Sequence, residues 1–107
     1  MIDEEYVRSK WAEITVKTYG NSRPFWICSQ FEYLANGPFE TEAEMWQAAR
    51  AFTEAREEEI RLLEEECDLL FQKHEAASNK PAHQAIYARI MSREQAALTE
   101  LKRGMRQ

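Results

Sequence analysis

From Glu42 to Ala77 the chain runs 36 residues without a glycine or a proline. No other feature limits the fold as tightly. The run is mostly Ala, Glu, Leu and Arg, residues that lose little side-chain freedom in a helix. At a rise of ~1.5 Å per residue it predicts a single helix of ~54 Å. Just before it, Thr41-Glu42-Ala43-Glu44 has the spacing of a capping box, with a hydroxyl placed for the amide three residues on. Ser78-Asn79-Lys80-Pro81 ends the run, and Pro81 suits the first turn of a new helix. A second helix is predicted over about 81–104, with Ile86, Tyr87, Ile90, Met91, Ala97, Leu98, Leu101 and Met105 at spacings of three and four. So short a link makes the pair an antiparallel helical hairpin. Folding it at Asn79–Lys80 sets Cys67 opposite Ser92 and brings Arg103 and Arg106 beside Glu54–Glu58.

The N-terminal third has a different period. In Trp11-Ala12-Glu13-Ile14-Thr15-Val16-Lys17, apolar residues alternate with polar ones, as on a half-buried strand. Gly20-Asn21-Ser22-Arg23-Pro24 has turn composition. Phe25 to Leu34 reads as a second strand, with Phe25, Ile27, Phe31 and Tyr33 on one face and Ser29 interrupting it. An antiparallel β-hairpin over about 10–35 follows. Residues 1–10 read as a short helix or an arm. The predicted fold class is therefore α+β: an N-terminal β-hairpin packed on a long helical hairpin, mostly helical, in one domain of 107 residues. The second helix is the shorter, so Met45, Trp46, Ala49 and Phe52 need cover from the β-hairpin.

The long helix carries two apolar stripes. Ile60, Leu63, Cys67, Leu70 and His74 form a seam for the second helix. Ala48, Ala55, Leu62, Leu69 and Ala76 recur every seven residues on another side. One neighbour cannot bury both. A homodimer is expected, because a two-fold interface needs only one self-complementary patch. Leu62, Leu69 and Ala55 are its candidate contacts.

Charge is uneven within a formal net of -5. Residues 1–40 hold 4 basic and 6 acidic side chains, 41–75 hold 4 and 11, and 76–107 hold 6 and 2. The acidic middle repels nucleic acid, and the basic tail balances it within the molecule. Direct nucleic-acid binding is thus the alternative, carried by Arg89, Arg93, Lys102, Arg103 and Arg106. A structural coiled-coil adaptor is a further one.

Catalytic signatures are missing from the sequence: it has no Gly-rich phosphate loop, no GxSxG and no HExxH. Cys28 and Cys67 form no CxxC pair and read as free thiols. No enzyme activity, metal or cofactor is expected. No apolar run reaches the ~18 residues of a membrane span, and a cytoplasmic location is expected. The expected function is a non-catalytic protein-binding module. Its narrower form, by analogy from size, acidity and lack of motifs, is a phage or mobile-element inhibitor, of anti-defence type, of a basic nucleic-acid-handling host protein. Candidate partner-binding residues are Trp26 and Trp11, as exposed aromatic anchors, and Glu57, Glu58 and Glu65, as an acidic helix face.

Overall fold

The computed structural model of the chain describes residues 2–19, 23–28 and 32–106, with side chains over 2–18 and 32–106. The elements are α1 (Asp3–Lys10), β1 (Thr15–Tyr19), β2 (Arg23–Cys28), β3 (Tyr33–Asn36), α2 (Glu42–Ala76) and α3 (Pro81–Leu101). The layout is α+β and mostly helical. Residues 57–102 form one compact unit, and residues 1–56 with 103–107 form another.

In the first unit β1, β2 and β3 form an antiparallel sheet in chain order. Val16 pairs with Ile27, and Ile27 pairs with Ala35. The segment 25–34, read as one strand, is two strands. β2 ends at Cys28 and β3 begins at Tyr33; residues 29–31, with Ser29 and Phe31, lie outside the described residues. Residues 1–10, the ambiguous arm, contain helix α1, which carries Asp3, Glu4 and Glu5 in its first turn and Arg8 and Lys10 in its last. That charge order suits the helix dipole.

Seven buried side chains hold this unit together: Val7 in α1 and Trp11 just after it, Leu34 and Ala35 from β3, and Met45, Trp46 and Ala49 from α2. The start of α2 is therefore covered as expected, with α1 sharing the work of the sheet. The α2 N-terminus is capped by Thr41, whose Oγ1 accepts from the Glu44 amide at 3.1 Å. Glu44 reaches back one residue further than the capping-box pattern, to the Glu40 amide at 3.2 Å. After α3, Gly104 takes φ 79°, a left-handed turn that costs a Cβ-free residue nothing. The tail then runs antiparallel to Trp11: the Ala12 amide donates to the Gly104 carbonyl, and the Arg106 amide to that of Lys10, both at 2.8 Å.

The second unit is the helical hairpin. Along α2, Ile60 and Leu70 are buried and Leu63, Cys67 and His74 half-buried, with Ala77 buried just past the helix end. Along α3, Gln84, Tyr87, Met91, Glu94, Leu98 and Leu101 are half-buried. Both series step by three and four, the knobs of an antiparallel coiled coil. Cys67 Sγ lies 3.7 Å from Glu94 Oε2, and Gln84 Nε2 donates to the His74 carbonyl at 3.3 Å. With Cys67 facing Glu94, the same register sets Ile60 against Leu101, Leu63 against Leu98 and Leu70 against Met91. Cys67 thus meets Glu94 where Ser92, which is exposed, was expected, while Gln84 meets His74 close to the expected register. The three-four step of α3 from Met91 falls on Glu94 and passes over Ser92.

Candidate protein-interaction surface

Trp11 does not serve as an exposed anchor. It is fully buried, and its Nε1 donates to Thr53 Oγ1 at 2.9 Å. Thr53 is also fully buried, and its hydroxyl donates a hydrogen bond to the Ala49 carbonyl at 2.8 Å. The indole keeps its polar edge satisfied inside the core, which is why a tryptophan is tolerated there. The alternation that placed Trp11 on an outer strand face failed because the chain enters β1 only at Thr15. Trp26 lies in β2, where its backbone pairs with Lys17 and Asn36. Its side chain lies outside the described ones.

The acidic candidates are exposed but partly committed. Arg61 lies between Glu58 and Glu65, bonding the first through Nε at 3.0 Å and the second at 2.6 Å. The guanidinium holds the Glu58 carboxyl below its usual range. Glu58 in turn pushes the Arg61 pKa further above its ordinary value, with Glu65 adding to it. Two carboxylates on one cation present one net charge to a partner, not two. Glu57 is half-buried. The acidic face is a weaker lure than the sequence count implies.

The basic candidates do not act as one group. Arg89 and Arg93 are exposed four residues apart on α3. Lys102 lies 3.6 Å from Glu64, and Arg106 Nε donates to the Arg8 carbonyl at 3.0 Å rather than joining Glu54–Glu58. Arg103 is exposed.

The apolar stripe is the feature that stands out on the surface. Leu62, Leu69 and Ile86 are 51%, 54% and 55% exposed, and Ala55 and Ala76 are also exposed. Two shallow grooves flank it on the hairpin. One is lined by Glu59, Leu62, Leu63, Glu66 and Glu94, the other by Lys73, Ala76, Ala77, Lys80, His83 and Tyr87. One groove is acidic and the other basic. Sequence reading located the leucines but passed over the charges between them.

Glu94 was likewise missed, although the gap between Met91 and Leu98 in a three-four series marks its place. It matters to Cys67, a free thiol. Burial pushes the Cys67 thiol up, and the neighbouring Glu94 carboxylate acts in the same direction. The folded chain therefore holds this proton more tightly than the unfolded chain. That stabilisation is complete below the unfolded thiol value of ~8.5 and is lost as pH rises through the higher folded value. Alkylation by iodoacetamide at pH 8 is expected to be several-fold slower at Cys67 than in the denatured chain, and Glu94→Gln is expected to speed it. An unchanged rate in Glu94→Gln would remove the carboxylate from the account. Among the described residues no group of three or more His, Cys, Asp or Glu side chains is placed to hold a metal ion, and no helix is long and apolar enough to cross a membrane. No protein-family model, curated protein or solved structure matches the chain.

Proposed function

We propose that the chain is a non-catalytic protein-binding module whose docking face is the exposed apolar stripe of the helical hairpin. The observation that carries it is the exposure of Leu62, Leu69 and Ile86 by more than half on one unit. A Leu or Ile left in water forgoes roughly 1 kcal/mol or more of burial, and a partner's surface supplies it. A narrower target, an inhibited nucleic-acid-handling protein, draws its support from the acidic residues of α2. The pairing of Glu58 and Glu65 with Arg61 reduces that support, so the apolar stripe ranks first. Leu62→Glu combined with Leu69→Glu tests the proposal, with circular dichroism to confirm an intact fold. The double variant is expected to lose every stable association that the wild type makes, measured by light scattering after gel filtration and by affinity capture side by side. Associations that survive both substitutions would place the docking face elsewhere.

A further inference from the structure

We infer that the occupant of this face is a second copy of the chain, docked antiparallel about a two-fold axis that passes beside Leu69. The inference rests on the stripe being a docking face, and it adds the partner and the register.

The order of residues along the stripe carries it. Reading along α2 and into the turn, the exposed positions at spacings of three and four are Glu59, Leu62, Glu66, Leu69, Lys73, Ala76 and Lys80. The half before Leu69 is acidic and the half after it is basic. Leu62 and Ala76 lie seven residues to either side of Leu69, Glu66 and Lys73 lie three and four, and Glu59 and Lys80 lie ten and eleven. A half-turn about Leu69 therefore maps each carboxylate onto an ammonium and each apolar residue onto an apolar one. In the resulting pair Glu66 meets Lys73 of the second copy, Glu59 meets Lys80, Leu62 meets Ala76, and Leu69 meets itself. Each relation between unlike residues occurs twice, as an isologous interface requires. A parallel pairing in register would set Glu59 on Glu59, Glu66 on Glu66 and Lys73 on Lys73. It is disfavoured by like charge at every polar position.

The grooves agree with the same operation. The acidic groove holds Glu59 and Glu66, and the basic one holds Lys73 and Lys80. A half-turn exchanges them. The charges on the stripe are free to meet a partner, while several of their neighbours are engaged. Arg61 engages Glu58 and Glu65, Lys102 engages Glu64, and Arg50 engages Glu54. Glu59, Glu66, Lys73 and Lys80 make no ion pair among the described residues. Within α2 the stripe from Glu59 to Ala76 spans ~26 Å, a helix-on-helix seam of about three turns before the axis and two after it, with Lys80 following in the turn. Ile86 widens the apolar surface from α3.

Charge reversal tests the register. Glu66→Lys alone sets two ammonium groups against each other at both copies of the 66–73 contact. Lys73→Glu alone sets two carboxylates against each other at the same places. Each single variant is expected to raise the dimer dissociation constant on the order of tenfold, by converting two attractive contacts into repulsive ones. Combining both substitutions in one chain is expected to restore wild-type self-association. Mixing the two single variants is expected to yield a heterodimer tighter than either homodimer. In that mixed pair one 66–73 contact joins the two substituted side chains and the other the two native ones, and each pairs an ammonium with a carboxylate; copies docked parallel already set like charges together at 66 and at 73, so neither single variant would weaken them. Sedimentation velocity over a wide concentration series, from micromolar upward, reads each case. A wild type that stays monomeric across the whole series overturns the second-copy inference and leaves the docking face to a different partner. A dimer that is lost in Leu62→Glu with Leu69→Glu but indifferent to the charge swaps overturns the register alone. A dimer indifferent to both sets overturns the inference and the docking face together.

Discussion

Trp11→Ala is expected to destabilise the chain by about 3–5 kcal/mol, the cost of removing a buried indole from a core that closes only in part over the space. Trp11 has no exposed surface, and it packs in the cluster with Val7, Leu34, Met45 and Ala49. Phe52 stands 6.3 Å from it, ring centre to ring centre. A second consequence follows from the polar edge. Without the indole N–H, Thr53 Oγ1 keeps its bond to the Ala49 carbonyl but loses the donor at 2.9 Å, inside a site sealed from water. Trp11→Phe isolates that part and is expected to cost about 1–2 kcal/mol, one unsatisfied buried acceptor plus a smaller ring. Guanidinium denaturation, followed by circular dichroism, separates the two variants. A Trp11→Ala protein as stable as wild type would return Trp11 to the surface and restore it as a candidate anchor for a partner.

The contrast between Trp11 and the helices shows where sequence was sufficient. The boundaries of α2 and α3 follow from local chemistry: Thr41 caps one end, Ala77 precedes the break, and Pro81 opens the next helix. These signals act within a few residues and need no knowledge of the rest of the chain. The seam on α2 was also legible, because a three-four repeat of Ile, Leu and Cys has one interpretation. The register of the hairpin was legible only near the turn, where Gln84 meets His74. Further along, Glu94 sits where Ser92 was expected, because the three-four step of α3 passes over Ser92. Trp11 was misplaced for a different reason. Its burial depends on the C-terminal tail, more than ninety residues on, where Met105 bridges to it. Period-two alternation is a local pattern and says nothing about a strand partner at that distance. The sheet was half legible: β1 and its pairing with β2 follow from alternation and a turn, whereas β3 was absorbed into β2 because both are apolar and no glycine separates them. The interaction surface divides in the same way. Leu62 and Leu69 were found by their seven-residue spacing, while the sign change from Glu66 to Lys73 emerged only once the grooves showed which charges share that face.

Leu70→Asp and Leu69→Asp, adjacent on α2, are expected to have opposite consequences. Leu70 is 6% exposed, in the seam against α3, whereas Leu69 is 54% exposed. Truncating a buried leucine costs about 2–5 kcal/mol, and a carboxylate without a partner in the same seam adds to that. Leu70→Asp is therefore expected to lower stability by at least about 3 kcal/mol and to loosen the hairpin at any protein concentration. Leu69→Asp removes no intramolecular burial of that size. The monomer should stay within about 0.5 kcal/mol of wild type, as surface substitutions do. Its effect should appear only where copies meet, since two aspartates would then face each other across the axis beside residue 69. The two kinds of loss separate by concentration. Self-association contributes to apparent stability by mass action, so any deficit of Leu69→Asp grows as the protein is concentrated and vanishes on dilution. The deficit of Leu70→Asp persists on dilution. Thermal melts of the three proteins across a wide range of concentration make the comparison. A concentration-independent loss in Leu69→Asp equal to that in Leu70→Asp would show that Leu69 belongs to the fold and that the exposed face has no role in association.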